Sequence, residues 1–423
     1  MTKTPLRPSS SDVAENAALQ YQQTIYDAID RLSSQLQELN SQIHSHPELC
    51  YQEHFSCGTL VRFLREQCLQ VTDHAFGLET SFVAEFGIGG RVVVFCAEYD
   101  ALADIGHACG HNLIATASTA AFLGVVDALK ASNLPGRVRL LGCPAEEGGG
   151  GKIKLLEAGA FSDVDAALMA HPGLGKETPN GPIGVAYGTC SAATGFQATF
   201  QGKAAHAGAM PWMGVNALDA ASLAYTAVGL LRQQCRPTDR VNTIFSRDSK
   251  SGCGVITEKT SLEFGIRCTT FKEVEALQQR VKNCIEGAAL ATACSVTYSH
   301  GMDPYAELRP NETLCVEFTK AMQGLGIEFL CDTNRKDVQT YGTDMGNVSY
   351  ACPSLHAIFV IPTEPEQTLH SSGFALAAST TAAHDAALAS AKGMGFAGLS
   401  VLLDDAIASQ VQENFIKDKQ SRP

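Results

Sequence analysis

The sequence predicts an α/β protein with a mainly parallel, helix-covered sheet and an inserted ferredoxin-like α+β domain. Apolar strands and helices alternate through the first part of the chain, which is typical of a parallel sheet. After about Tyr187 the predicted order changes to strand–helix–strand–strand–helix–strand, which is the ferredoxin-like order. The chain has 423 residues, which is too long for one average core. These observations together predict two domains.

The first part opens with a long amphipathic helix from about Asp12 to Ser45, whose apolar residues recur at helical spacings. Asp12 with Glu15 fits a capping pair at its start. The next predicted elements are a helix at 57–67, strands at 81–86 and 91–96, a helix at 113–131, a strand at 138–143, a helix at 152–158 and a strand at 166–170.

The second part supplies the inserted domain, and the sheet then resumes. The predicted elements of the insert are strands at 196–201, 239–245, 260–267 and 294–300 and helices at 216–235 and 272–293. After it come a helix at 314–325, a strand at 357–361 and a closing helix at 384–408. We therefore assign 1–188 and 305–423 to a catalytic domain and 189–304 to the insert.

Composition and charge narrow the function classes. The net charge is −13 and no Lys/Arg-rich run occurs, which argues against nucleic-acid partners and against binding to a membrane surface. No apolar run reaches the roughly 18–20 residues that span a bilayer, and the polar residues 1–11 do not resemble a signal peptide. The 15 cysteines show no framework spacing and no CxxC, so we expect reduced thiols and a cytoplasmic location.

Histidine, cysteine and carboxylate side chains, which can bind metal ions, follow three predicted strands of the first domain. Because parallel strands end at one edge of a sheet, these side chains are expected to converge there. A further histidine, His370, lies in a Gly/Ser-flanked loop after the late strand. The side chains are Asp100, Cys109 and His111 after the first strand, Glu146 and Glu147 after the second, and His171 after the third.

These residue types fit metal-assisted hydrolysis, in which a bound ion lowers the pKa of water toward about 7. The predicted ligands are Cys109, His111, Glu147, His171 and His370. Glu146, next to a ligand but free of the metal, suits the proton shuttle. Asp100 would orient an imidazole. The thiolate favours zinc, as one or two ions, while manganese or cobalt stays open.

Other interpretations of these residues are weaker. The Gly148–Gly151 run fails the phosphate-loop pattern, because Ile153 follows Lys152 where Ser or Thr is required. No HExxH helix occurs. A lone histidine is by default structural, and we apply that default to His44, His54, His74, His300, His356 and His384.

Several motifs, in order along nearly the whole chain, resemble one enzyme family. They are His46-Pro47-Glu48-Leu49, Glu98-Tyr99-Asp100-Ala101-Leu102, Gly106 through Asn112, Pro144-Ala145-Glu146-Glu147-Gly148, Met169-Ala170-His171-Pro172, Gly202-Lys203-Ala204-Ala205-His206-Ala207, Gly342 through Ser349, and His370 before Phe374. The chain resembles the zinc metallopeptidases and amidohydrolases that include aminoacylase, carboxypeptidase G and the plant indole-acetyl-amino-acid hydrolases. Within them it is most similar to the aminoacylase-like dipeptidase branch.

The resemblance implies more than the residues themselves indicate. It implies a zinc-peptidase-like catalytic domain and an inserted lid that forms a homodimer. His206 of the lid would polarise the substrate carbonyl, and Arg267, Asn242 and Thr343 would bind substrate. The lid departs from the pattern of the branch, since Asn242 replaces a usual histidine and Gly254-Val255-Ile256-Thr257 replaces an Asn-aliphatic-aliphatic-Pro segment.

The predicted function is metal-dependent hydrolysis of the amide bond of a dipeptide or N-acyl amino acid, with Glu146 as general base. The altered lid leaves a second reading open, in which the same site hydrolyses or forms an amide of a specialised metabolite. A third reading, a catalytically silent relative that binds a ligand, predicts lost ligands or a lost base. The predicted ligands and the predicted base are all present in this chain.

Overall fold

A computed structural model describes residues 10–246, 252–334, 341–364 and 366–422, with side chains from residue 18 onward. Its contacts divide the chain into two compact units. The first unit holds the described residues of Met1–Thr189, Arg309–Asp337 and Asn347–Arg422. The second holds those of Cys190–Leu308 and Val338–Gly346. That the second unit acts as a lid and dimerisation domain stays a prediction.

The regular elements are numbered in chain order. The α-helices are α1 Ser10–Ser45, α2 His54–Glu66, α3 His111–Ser132, α4 Gly151–Glu157, α5 Ala217–Leu231, α6 Phe271–Thr292, α7 Glu312–Gly324, α8 Met345–Ala351, α9 Ser372–Ala378, α10 Thr381–Leu403 and α11 Asp405–Ser421. The strands are β1 Val71–Asp73, β2 Phe82–Ile88, β3 Val92–Glu98, β4 Gly136–Cys143, β5 Ala166–Gly173, β6 Gly184–Val185, β7 Ala192–Gln201, β8 Arg240–Ser246, β9 Lys259–Cys268, β10 Ser295–Tyr305, β11 Phe329–Leu330 and β12 Ser354–Val360.

The first unit contains an eight-stranded sheet in the order β1-β2-β4-β3-β5-β12-β6-β11. Its four central strands, β4, β3, β5 and β12, run parallel to one another. Every residue of β3 is buried, which is what a strand covered by helices on both faces requires. The prediction of a mainly parallel sheet is confirmed for this centre, while β1 and β2 form an antiparallel edge.

Two helices of the first unit, α3 and α10, are long and apolar enough to cross a membrane by length and composition. The expectation that no segment has that character was therefore wrong. In the structure 94% and 78% of their most apolar windows are buried inside the protein. Glycines explain the close packing, because an added Cβ at Gly124 of α3 or Gly395 of α10 would lie within 3 Å of Ile25 of α1. These helices have the character of core helices.

Two local predictions need correction, and two short strands were not predicted. The predicted closing helix is two helices, since Asp404 ends α10 and its side chain caps α11 by accepting from Ala406 and Ile407 N–H. Strand β5 continues to Gly173, so His171 lies inside the strand and not after its end. The two-residue strands β6 and β11 were not predicted, because two residues carry no periodicity.

The second unit has the ferredoxin-like order β7-α5-β8-β9-α6-β10. Its four strands form an antiparallel sheet in the order β10-β7-β9-β8. Helices α5 and α6 share one apolar core with this sheet, and a Thr270–Glu273 capping box starts α6. The predicted α+β insert is confirmed as a fold.

Candidate functional site

The first unit brings the predicted metal-type side chains together at the carboxyl ends of its parallel strands. Strands β3 and β4 end in register, with Glu98 opposite Cys143. Asp100 therefore follows one strand, and Glu146 and Glu147 follow its neighbour, at the same edge. This is the position of active sites in open α/β sheets.

His111 is the first residue of α3 and is fully buried. The preceding Gly110 has a φ of 79°, and a Cβ there would lie 2.5 Å from Pro172 Cγ, so only glycine fits this turn. Asp100 Oδ1 lies 2.9 Å from His111 Nδ1, which places the ring proton on Nδ1 and leaves Nε2 as a ligand atom. Asp100 Oδ2 also accepts from the Glu147 N–H at 2.9 Å.

Two sets of potential ligands share one thiol. The ligand atoms of Cys109, His111 and His171 lie within 4.8 Å of one another, as do those of Cys109, Glu147 and His370. Cys109 Sγ is 3.4 Å from His171 Nε2, and His370 Nε2 is 3.3 Å from Glu147 Oε1. The structure thus brings together all five residues that the sequence predicts as metal ligands. In a third cluster the ligand atoms of Glu98, His111 and Glu146 also lie within 4.8 Å of one another.

The donor atoms have the chemistry that a metal ion requires. His111 Nε2 is buried and has no hydrogen-bond partner among the residues that the structure describes, which is costly unless the atom serves another purpose. His171 Nδ1 lies 2.7 Å from the Pro172 carbonyl, so it donates there and leaves Nε2 for a ligand. Burial, followed by the neighbouring His111, lowers the pKa of His171 to about 4. The neutral imidazole that binds metal is therefore the stable form. The residues fit a bound ion.

Glu146 and Glu147 lie on a tight turn between β4 and α4. Ala145 has a left-handed φ of 58°, and Gly148 and Gly150 have φ values of 97° and 62°. Glu146 is buried, with Oε2 3.8 Å from His111 Nε2. The turn therefore holds both adjacent carboxylates close to the ligand set.

Sequence reasoning missed a buried ion pair beside this site. Lys152 of α4 and Glu98 at the end of β3 are both fully buried, and Lys152 Nζ donates to Glu98 Oε1. Glu98 Oε2 lies 3.5 Å from His111 Nε2. The fully apolar run before Glu98 could have indicated a buried carboxylate, but nothing in the sequence identifies Lys152 as its partner.

We expect Lys152→Met to destabilise the metal-free protein by about 3–5 kcal/mol, because it leaves the Glu98 carboxylate buried without its cation. Urea unfolding followed by circular dichroism measures this loss. Lys154→Met, at an exposed position of the same helix, is the matched control. It removes only a cation–π contact, in which Nζ lies 4.0 Å from the Tyr51 ring centroid, and should cost about 1 kcal/mol or less. Adding Glu98→Gln to Lys152→Met should restore part of the stability. If Lys152→Met were as stable as Lys154→Met, the Glu98–Lys152 ion pair would not have this stabilising role.

The remaining predicted residues lie in the second unit. His206 is exposed, and its Nδ1 accepts from the N–H groups of Gly208 and Ala209 at 3.2 and 3.1 Å. Thr343 is buried, and its Oγ1 accepts from Met345 N–H. These contacts order two turns of the unit.

Arg267 and Asn242 line one trough of about 480 Å³ in the second unit. Glu263, Gly265 and Arg267 alternate along β9 with buried residues of the core, so they point away from it. Arg267 Nη1 is buried and has no hydrogen-bond partner among the described residues. The trough therefore offers an unsatisfied cationic donor.

The family model described as peptidase family M20/M25/M40 matches residues 95–393. The chain is 38% identical to a Xaa-Arg dipeptidase of Mus musculus, over 97% of this chain and 95% of that protein. It is 32% identical to one of the p-aminobenzoyl-glutamate hydrolase polypeptides of Escherichia coli, over 71% and 65% of the two chains.

The fold also has solved counterparts. A dinuclear metal-binding peptidase of Bacillus subtilis superimposes with a TM-score of 0.65 at 20% identity, covering 89% of this chain and 99% of that one. At this identity the likeness concerns the fold. It agrees with the two-unit α/β and α+β architecture described above.

Proposed function

The chain belongs to peptidase family M20/M25/M40, and from that membership we propose that it cleaves dipeptides or N-acyl amino acids with a free carboxylate. Members similar to it are hydrolases of amide bonds, and this chain is a metal-dependent hydrolase of that kind. The observation that carries the proposal is the pair of ligand sets joined at Cys109, with the Glu146 carboxylate beside them.

The chain's own residues supply the proton transfers and the orientation. Bound ions would act as a Lewis acid on the substrate carbonyl and make water acidic enough to ionise near neutral pH. Glu146 takes the proton of the attacking water and delivers it to the nitrogen of the leaving amine. Asp100 keeps His111 in the tautomer that presents Nε2 to the metal site. Burial of these groups strengthens each electrostatic interaction.

We propose zinc as the resident ion, with manganese or cobalt as alternatives. The soft thiolate of Cys109 supports zinc, while the histidine and carboxylate ligands accept all three metals. The two ligand sets support two ions per chain. The B. subtilis peptidase with the same fold is described as dinuclear.

For the second unit we propose a role in substrate binding and dimerisation. The unsatisfied Arg267 guanidinium supports recognition of a substrate carboxylate, with Asn242 in the same trough and Thr343 as a further contact. His206, whose ring is exposed, would polarise the substrate carbonyl. We further propose that the protein is a cytoplasmic homodimer that associates through this unit.

The test combines metal analysis with a substrate panel. We expect one or two ions per chain by mass spectrometry on protein purified without added metal. We also expect hydrolysis of dipeptides, including those that end in arginine, or of N-acyl amino acids such as aminobenzoyl-glutamate. Activity should disappear on chelation and return with metal. Substrates whose carboxylate is replaced by an amide should be poor.

Two other outcomes have distinct meanings. Protein that binds no metal even after reconstitution would overturn the proposal. Bound metal without hydrolysis of anything in the panel would favour the second candidate, in which the site acts on or forms the amide of a specialised metabolite. That candidate rests on Asn242, which lines the trough at a position where the resemblance to the dipeptidase branch implies a histidine.

A further inference from the structure

The turn that carries Glu146 has an energetically unfavourable backbone conformation just before the general base. Ala145 has a φ of 58°, a left-handed conformation that costs a non-glycine residue about 1–3 kcal/mol and persists only where its surroundings hold it. Because Ala145 directly precedes Glu146, its conformation determines where the general base points. Whatever holds Ala145 therefore acts on the reaction.

A short segment, residues 50–53, makes side-chain contacts to this turn at three places. We call it the clamp segment. Glu53 Oε1 accepts from the Ala145 N–H at 2.8 Å, and Cys50 Sγ lies 3.2 Å from the Glu147 carbonyl oxygen, to which it donates. Tyr51 Oη donates to the Gly149 carbonyl. The clamp segment thus holds alternate residues of the turn, on both sides of Glu146.

Glu53 is the most unusual member of the clamp segment. Its side chain is fully buried, and no cation pairs with it among the described residues, although an unpaired buried carboxylate is expensive. Burial, followed by the negative charge of Asp100, raises its pKa to about 7. The same oxygen that accepts from Ala145 also accepts from the Tyr51 N–H at 3.0 Å. One atom therefore joins the clamp segment to the turn.

Helix capping does not account for this carboxylate. Glu53 is the N-cap residue of α2, yet its side chain makes no capping hydrogen bond. Glu48 caps the helix instead, because its two carboxylate oxygens accept from the N–H groups of Phe55 and Ser56 at 2.8 and 2.9 Å. The side chain of Glu53 turns away from the helix that it begins and toward the catalytic turn.

We propose that Glu53 is a positioning residue for the general base, which it holds by accepting the Ala145 N–H and so maintaining the left-handed turn before Glu146. Asp100 holds the other side of Glu146 through the Glu147 N–H. The backbone is thereby fixed one residue before and one residue after the base. This inference rests on the proposed hydrolytic function and names a further residue that the reaction requires.

Two nearly isosteric substitutions separate positioning from packing. Glu53→Met fills the same space but removes the acceptor, so kcat should fall by about 100-fold, which is what a misplacement of about 1 Å can cost. Metal content, KM and the melting temperature should change little by comparison. Glu53→Gln keeps a carbonyl oxygen that can accept both N–H groups, so it should retain most of the wild-type kcat.

Glu48→Ala is the matched control. It removes a carboxylate from the same stretch of chain that caps α2 and does not contact the turn. It should lower the melting temperature and leave kcat near the wild-type value. A fall in kcat for Glu53→Met but not for Glu48→Ala, at equal metal content, is the expected pattern.

Several results would overturn the inference. A wild-type kcat in Glu53→Met would show that the turn keeps its conformation without the Glu53 acceptor. Equal losses in Glu53→Met and Glu53→Gln would show that the accepted hydrogen bonds are not the reason. A loss explained by lower metal content or by unfolding would make Glu53 a structural residue. If instead the wild-type protein cleaves no amide, the proposed function fails, which is a separate outcome.

Discussion

Replacement of Glu146 by glutamine is expected to lower kcat by about 10³–10⁴-fold while the protein keeps its metal. Glutamine has almost the same shape but cannot take a proton from water or return one to the leaving amine, and general acid–base catalysis contributes up to that factor. Glu146 stands outside the two ligand sets that share Cys109, and glutamine keeps a carbonyl oxygen at the position that approaches Glu98 and His111 in the third cluster. The ions should therefore stay in place.

The measurement is kcat on a cleaved dipeptide together with metal content of the same preparation. Glu147→Gln is the informative comparison, because Glu147 belongs to one of those ligand sets and its replacement should reduce metal content as well. Turnover of Glu146→Gln at the wild-type rate would remove Glu146 from the mechanism. Loss of metal in Glu146→Gln would instead make it a ligand.

Replacement of Cys109 by serine should remove metal from both positions at once. Cys109 is the residue that the two ligand sets have in common, and a serine hydroxyl is a poor ligand because it does not ionise readily as a thiol does. Activity should fall by about 10³-fold or more, since the ion contributes several kcal/mol to the stabilisation of the transition state. Mass spectrometry of the purified variant measures the ions directly.

Cys50→Ser is the matched control for this prediction. Cys50 lies close to the same site, 3.7 Å from Asp100 Oδ2, but belongs to neither ligand set. Serine at position 50 keeps a donor for the Glu147 carbonyl, so metal content and kcat should stay near the wild-type values. Two ions per chain in Cys109→Ser would contradict the shared-ligand arrangement.

Much of the fold could be predicted because its signals are local. The apolar run of β3 and the Ala-rich pattern of α3 each report on burial along a single element. The ferredoxin-like order of the second unit follows from the succession of helical and strand patterns. The break between α10 and α11 was missed, since Asp404 interrupts the helix by capping the next one and not by a proline or glycine.

Much of the candidate site could be predicted for a related reason. The carboxyl ends of neighbouring parallel strands must meet at one edge, so residue types that follow β3 and β4 could be assigned to one site before any distance was known. The Glu98–Lys152 pair and the contact between Glu53 and Ala145 could not be predicted this way. Each joins residues more than 50 positions apart through a side-chain contact that no periodic pattern encodes.

The sequence by itself determined the class of fold, the family and the kinds of atoms available to bind a metal. Only the tertiary structure decided that Cys109 stands between two ligand sets and that Asp100 holds both His111 and the turn of Glu147. The physical reason is that residue type fixes what a side chain can bind. Strand register, a left-handed turn and the burial of its neighbours fix where that side chain lies.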